Sequence, residues 1–277
     1  MLKVDLHCHS TISDGVLKPA EVAAHARRAG VDVWALTDHD EISGVAAARQ
    51  AALALGMQFV AGVEISITWA GQTVHIVGLQ IDETHPALVQ GLLQTRSGRD
   101  TRAREISRQL ALAGIPDAYE GALNYVANPD LMSRTHFARY IVEIGKCANI
   151  PEVFRKYLSE GKPGYVEHRW GTLAEAVGWI RAAGGLAVIA HPGRYRFSDT
   201  AQGVLFDEFK QLGGVAIEVV TGSHTPDQYA EYARLANDYG FLASRGTDFH
   251  APGEVRVDFA LLPPLPANVK PIWHDWF

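Results

Sequence analysis

Short apolar runs that stop at a histidine or an acid recur along the chain, with helix-like segments between them. An apolar start leads into Asp5-Leu6-His7-Cys8-His9-Ser10, and Val31 to Thr37 stops at Asp38-His39-Asp40. Phe59 to Ile65 carries Glu64 near its end, and after a turn at Trp69-Ala70-Gly71-Gln72 the run Thr73 to Leu79 carries His75. Later, Leu186 to Ala190 precedes His191-Pro192, Val215 to Val220 precedes Thr221-Gly222, and Leu242 to Gly246 precedes Asp248-Phe249-His250. Phe259 to Leu262 reads as one more strand before a proline-rich tail. Between the early runs, Pro19 opens an alanine-rich helix ending near Gly30, and Ser43 is placed to cap a second running to Leu55. Strands separated by helices imply parallel pairing through right-handed crossovers. About seven such units suggest a closed or distorted α/β barrel, in which chemistry gathers at the C-terminal strand ends.

The alternation breaks between residues 86 and 171, where the sequence is mostly helical: Arg96 to Leu112, Thr135 to Ile144 and Pro151 to Ser159. This stretch is expected to be an inserted helical subdomain capping the substrate site, with the barrel made of residues 1–85 and 172–277. The 277 residues suffice for one large domain. No apolar run approaches the roughly 18 residues that suggest a membrane span. No basic and apolar leader precedes the first strand, and the two cysteines, Cys8 and Cys147, suit a reducing compartment, so a cytoplasmic protein is expected. A net charge of −6 argues against binding long nucleic acid, which needs a basic surface. Small anions in a metal pocket stay compatible with it, and nothing in the sequence calls for an obligate protein partner.

In an extended strand His7 and His9 share a face, and Asp5 on that face is placed to orient their rings, while Cys8 points the other way as a small buried side chain. With Asp14, His39, Glu64, His75, His191, Asp248 and His250 they make nine nitrogen and oxygen donors without sulfur. About four ligands serve one ion, so this set implies two or three divalent ions with bridging carboxylates. Such a centre suits phosphate-ester hydrolysis, because bridged cations lower the pKa of a shared water and neutralise charge on the attacking and leaving oxygens. No protein nucleophile is then required.

These motifs identify a resemblance to the PHP (polymerase and histidinol phosphatase) family: His7-Cys8-His9 with Asp14, Thr37-Asp38-His39-Asp40, Gly62-Val63-Glu64, His75, Ala190-His191-Pro192 and Gly246-Thr247-Asp248-Phe249-His250. The resemblance implies a distorted seven-stranded TIM-like barrel with a trinuclear site. It implies one ion on His7, His9, Glu64 and Asp248, a second on Glu64, His75 and His191, and a third on Asp14, His39 and His250. Manganese is the expected metal, with zinc or iron(II) as alternatives, and the implied catalytic group is a metal-bridging hydroxide held by Glu64, His191 and Asp248. Within the family, Ser133-Arg134-Thr135-His136-Phe137 and Pro192-Gly193-Arg194 are similar to a group that hydrolyses nucleoside 3′,5′-bisphosphates or trims short oligoribonucleotides. That similarity makes Arg134 and Arg194 candidate phosphate clamps, since a guanidinium fork matches phosphate oxygens. Ser133, His136 and His224 are further candidates for contact with a small phosphorylated nucleotide or short RNA. Trp69 and Trp170 are candidates for stacking on a base, and His25, His85, His168 and His274 read as surface or loop residues.

Three other readings compete. A histidinol-phosphate phosphatase is the nearest, but the Phe-Cys-x-His signature associated with that group is missing here. A barrel amidohydrolase often needs a strand lysine for a carbamate bridge, and the seven lysines fall outside the expected strand ends. A non-catalytic metal-binding accessory module usually loses ligands, whereas all nine positions are filled here.

Overall fold

The computed structural model describes residues 2–126, 128–254 and 257–276. Seven strands form the frame: β1 (Val4–Asp5), β2 (Val33–Leu36), β3 (Gln58–Trp69), β4 (Gln72–Leu79), β5 (Leu186–Ile189), β6 (Ala216–Thr221) and β7 (Leu242–Gly246), neighbours in space in the order of the chain. Helices α1 (Pro19–Arg28) and α2 (Val45–Ala54) link the first three strands. Helices α3 (Pro86–Arg96), α4 (Arg99–Leu112), α5 (Ala118–Leu123), α6 (Arg134–Glu143), α7 (Ile150–Val153) and α8 (Leu173–Ala182) separate β4 from β5, with α9 (Asp199–Gln211) and α10 (Pro226–Tyr239) beyond. Backbone bonds beside the terminal strands bring the two edges together: Leu6 N–H to Arg245 O at 3.0 Å, Asp248 N–H to His7 O at 2.9 Å and His9 N–H to Phe249 O at 2.8 Å. The result is a nearly closed, distorted seven-stranded barrel.

Pairing is parallel from β1 to β3 and from β5 to β7, but β4 runs antiparallel to both its neighbours. The expectation of parallel strands fails at β4 because only Ala70 and Gly71 separate it from β3, and both have positive φ (45° and 77°). Such a two-residue connection joins antiparallel strands only. Two smaller expectations also change. Gly44, not Ser43, stands at the N-cap of α2. The segment 259–262 is a turn rather than a strand. Asp258 starts that turn by accepting the N–H of Leu261 at 2.8 Å, and Phe259 instead packs on Phe249 at 4.9 Å.

Local chemistry accounts for the helix limits. Pro19 begins α1 beside a Glu21 carboxylate that accepts the Lys18 N–H, and Thr172–Glu175 and Thr225–Gln228 form reciprocal caps on α8 and α10. Gly240, at φ 68°, ends α10 in the left-handed conformation. Apolar positions sort into separate cores. Leu88 and Leu92 of α3 pack into the barrel core with Ile76, Ile180 and Ile189, while Ile106, Leu110, Phe137, Ile141 and Leu158 form a distinct core within the helical segment. None of the described helices is long and apolar enough to cross a membrane.

Candidate metal centre

The loops after the strands carry the donors into one buried cluster. The Asp38 carboxylate accepts Ser10 N–H at 2.7 Å, Ser10 Oγ at 2.7 Å and Ser13 Oγ at 2.6 Å, which folds the loop bearing Asp14 back over His9. Glu64 is fully buried on β3, and His75 faces it from β4 with Nδ1 2.9 Å from Oε1. His191 reaches the same oxygen through Nε2 at 3.0 Å. On the other oxygen, Oε2, converge His39 Nδ1 at 3.0 Å and both His7 Nε2 and His9 Nε2 at 3.3 Å. Glu64 thus presents one oxygen to each half of the cluster, as a bridging carboxylate would.

The donor spacings test the fit to a cation. His7 Nε2 and His9 Nε2 lie 3.2 Å apart, His9 Nε2 is 3.2 Å and His7 Nε2 3.5 Å from Asp248 Oδ1, and both are 3.3 Å from Glu64 Oε2. A tetrahedral ion with bonds of about 2.0–2.1 Å sets its ligands about 3.3–3.4 Å apart. Two carboxylates and two imidazoles at this spacing have too few protons to satisfy one another. Glu64 Oε2 of this set, and with it Asp14 Oδ1, His9 Nδ1 and His39 Nδ1, are buried without a hydrogen bond of acceptable geometry among the described residues, however close their neighbours lie. Buried polar atoms rarely stay unpaired, so the set fits divalent cations.

The grouping differs in detail from the implied one. His7, His9, Glu64 and Asp248 gather as expected. Asp14 and His250, 3.3 Å apart, are joined by His39 and also by His9, whose Nδ1 turns toward Asp14 at 3.9 Å. His39 gathers with Glu64 and His75, alongside the His191 contact already described.

Electrostatics agree with a site built for positive charge. Burial favours the neutral carboxyls of Asp14, Glu64 and Asp248, but the surrounding imidazoles outweigh it and hold all three well below the usual carboxylate range. Burial disfavours a charged His250, yet Asp14 and Asp248 push its pKa up to about 9. His191 is pushed down to about 3 by burial and by Arg194, which keeps its imidazole neutral for ligation.

Asp5 does not touch the histidine rings. Its carboxylate accepts backbone N–H groups of His7 at 3.3 Å and Thr247 at 3.0 Å, because β1 ends at Asp5 and the chain beyond it leaves the strand alternation on which that expectation relied. The ring of His7 meets Glu218 instead, Nδ1 to Oε1 at 2.8 Å. The sequence signal for this residue is one acid inside the apolar run Ala216-Ile217-Glu218-Val219-Val220.

Beside the cluster a cleft of about 110 Å³ is lined by Arg99, Arg102, Arg134, Arg194 and Trp170 together with the donors. Arg194 donates to Asp248 Oδ2 at 2.9 Å, and Arg134 donates to the Leu158 carbonyl at 3.2 Å. Arg99 pairs with buried Asp40, and Arg99 and Arg102 lie over the Trp170 ring at 4.5 and 5.3 Å. Burial and the neighbouring Arg134 and Arg99 push Arg102 down to about 9. Neither Arg99 nor Arg102 was expected, since arginines on the charged helix α4 look like a solvated face. Ser133 Oγ donates to Asp14 at 3.2 Å. His136 is buried, with Nδ1 accepting the Ser133 N–H at 3.0 Å, and buried His224 accepts the Gly193 N–H at 3.0 Å. Trp69 lies away from the cleft, bonded to Glu208.

Residues 5–220 match the model of the PHP domain family. A 3′,5′-nucleoside bisphosphate phosphatase of Chromobacterium violaceum is 48% identical over 275 residues, 99% of this chain and 96% of its own. A 5′-3′ exoribonuclease of Haemophilus influenzae is 43% identical over 275 residues, 99% of each chain. A solved structure described as an amidohydrolase from Chromobacterium violaceum, with sulfate bound and no metal, superposes with a TM-score of 0.95 at 47% identity, covering 99% of this chain and 95% of its own. With its barrel, its gathered imidazoles and carboxylates and relatives matched along nearly their whole length, the chain belongs to the PHP domain family and is one of its phosphoester hydrolases.

Proposed function

We propose that the protein hydrolyses a phosphate ester of a nucleoside 3′,5′-bisphosphate, or the end of a short oligoribonucleotide, in the cytoplasm. The observation that carries this reading is the composition of the cleft, which is lined by the acid and imidazole cluster together with four arginines. A reacting phosphate accounts for the cluster and Arg194, and a second phosphate accounts for Arg134 and Arg102. The names of the relatives that match nearly the whole chain, a nucleoside bisphosphate phosphatase and an exoribonuclease, support the substrate class. The buried free thiols of Cys8 and Cys147 suit a reducing compartment.

In this reading residues 86–171 act as a substrate-binding cap, supplying Arg99, Arg102 and Arg134, while the barrel supplies the donors and Arg194. When bound, three divalent ions, manganese foremost given the nitrogen and oxygen donors, would lower the pKa of a water and neutralise charge on the phosphoryl oxygens. Glu64, His191 and Asp248 frame the place of the attacking water. His7 and His9, with His39, His75, Asp14 and His250, complete the ligand set. Arg194, held by Asp248, grips the reacting phosphate, and Arg134 and Arg102 hold the other. Ser133 offers its hydroxyl at the mouth of the cleft. His136 and His224 position Ser133 and the Gly193-Arg194 turn respectively. The nucleoside extends into the adjoining space of about 420 Å³ lined by Ile150, Pro151 and Phe154.

The test is kcat/KM of the manganese-loaded protein for adenosine 3′,5′-bisphosphate, a 5′-phosphorylated short RNA, adenosine 5′-monophosphate and an aryl phosphate. One charge-assisted contact in a dry pocket carries about 2–5 kcal/mol, so a bisphosphate or the RNA is expected to exceed the aryl ester by roughly 30-fold or more. Equal values for all four would refute recognition of a second phosphate.

A further inference from the structure

Glu218 lies on β6, is 1% exposed, and is not among the nine donors. Each of its oxygens meets one donor. Oε1 is 2.8 Å from His7 Nδ1, and Oε2 accepts the backbone N–H of His191 at 2.6 Å. These partners arrive from opposite parts of the chain, His7 after β1 and His191 after β5. His191 also has a φ of 29°, a left-handed conformation unusual for a residue with a side chain. We infer that Glu218 is a positioning residue of the metal centre, fixing His7 as its Nδ1–H tautomer and holding the His191 backbone in the conformation that turns its ring toward Glu64.

The argument is one of donors and acceptors. A backbone N–H can only donate, and an ionised carboxylate can only accept. With one oxygen engaged by His191, the other accepts from His7 Nδ1, which therefore carries the proton. In the neutral ring that ligates a metal, Nε2 then keeps its lone pair, and Nε2 is the atom that faces His9, Glu64 and Asp248. A carboxylate behind a ligating imidazole fixes both the tautomer and the ring plane. Here one carboxylate serves two ligands at once.

Glutamine has nearly the same shape but only one acceptor oxygen. In Glu218→Gln, an oxygen kept on the His191 N–H leaves the NH2 facing His7 Nδ1, which must then present a lone pair and send its proton to Nε2. The reverse orientation sets NH2 against the His191 N–H, donor against donor. Either way one ligand is misplaced. Glu218→Asp changes the reach but keeps two acceptors, so it should retain more metal than the isosteric glutamine.

This inference rests on the cluster being a metal site, and calorimetric titration of the metal-free proteins with manganese separates the two claims. Wild type should bind manganese, Glu218→Gln should bind about 10- to 100-fold more weakly, and Glu218→Asp should fall between. Ring nitrogen shifts in the zinc-loaded proteins, assigned with a His7→Asn variant, should show His7 protonated at Nδ1 and ligated through Nε2 in wild type. If Glu218→Gln fails to fold, the wild-type spectrum still decides the matter. A His7 protonated at Nε2, unchanged manganese affinity in Glu218→Gln, or a glutamine variant binding better than the aspartate overturns the role given to Glu218. A wild type that binds no manganese overturns the metal reading itself and this inference with it.

Discussion

Replacing Arg134 by alanine tests whether the cleft recognises a phosphate that it does not hydrolyse. The guanidinium donates to the Leu158 carbonyl and faces the rings of Phe154 and Tyr165 at 5.7 and 5.9 Å, but it has no carboxylate partner among the described residues. Burial and the neighbouring Arg194 push its pKa down, a shift that a bound anion would oppose. Losing such a contact from a desolvated pocket costs about 2–5 kcal/mol. Arg99 and Arg102 line the same cleft and share the load, which places the expectation near 2–3 kcal/mol, or about 30- to 150-fold in kcat/KM for adenosine 3′,5′-bisphosphate. An aryl phosphate has no second phosphate to lose and should change by less than about threefold, well under 1.4 kcal/mol. Stability is a separate axis: a hydrogen bond and two cation–ring contacts amount to about 1–3 kcal/mol, so thermal denaturation must confirm folding at the assay temperature. Equal loss on both substrates in a folded variant would mean that Arg134 holds the reacting phosphate. No loss on either would remove it from recognition.

Chelation should abolish hydrolysis and lower the melting temperature, since metal bound only to the folded state stabilises it; a verified metal-free sample turning over at the normal rate would exclude metal-borne chemistry. Glu64→Gln replaces the carboxylate that faces both halves of the cluster by a neutral amide, so bound manganese and turnover should both fall further than in His75→Gln, and elemental analysis showing full metal in the glutamine variant would remove Glu64 from the site. Asp40→Asn breaks the buried pair with Arg99 that ties α4 to the loop after β2, and a loss of about 3–5 kcal/mol in urea denaturation is expected; a loss within about 0.5 kcal/mol, as at ordinary surface positions, would mean that the pair does not anchor α4. His224 is held neutral in the fold, burial pushing it down to about 4, whereas an unfolded histidine titrates near 6.5. Its contribution is therefore present above about pH 6.5 and lost as the pH falls toward 4, by up to about 3 kcal/mol. Metal-free His224→Gln should consequently lose less stability than wild type between pH 7 and pH 4.5, and parallel losses would show that another group carries the acid sensitivity.

What the sequence revealed depends on how local each signal is. The strand ends that gather the imidazoles and carboxylates are legible because an apolar run that stops at a histidine or acid needs only a few adjacent residues to be seen. The Ala70-Gly71 turn is legible too, and its two-residue length makes β4 antiparallel to β3; β5, which runs with the other strands, is then antiparallel to β4 as well. Period-two reasoning failed at Asp5 because the strand is two residues long, so a face rule that requires continuous extension stops before His7.

The arginines of α4 were hidden for a different reason. A charged helix reads as a solvated face unless its tertiary partner is known, and the partners of Arg99 and Arg102, namely Asp40 and the Trp170 ring, lie 59, 71 and 68 positions away in sequence. Those contacts assign a second task to Asp40. Its carboxylate accepts the N–H of Ser66 at 2.7 Å and its Oγ–H at 3.0 Å while pairing with Arg99, and its carbonyl accepts from Arg96 at 2.6 Å. The residue next to the candidate ligand His39 thus joins β3, the loop after β2 and the start of the helical segment. A phosphate drawing on Arg99 competes directly with Asp40 for the same guanidinium. Asp40 thereby ties the loop after β2 to α4 across 59 positions of sequence, a connection that no spacing of residues along the chain displays.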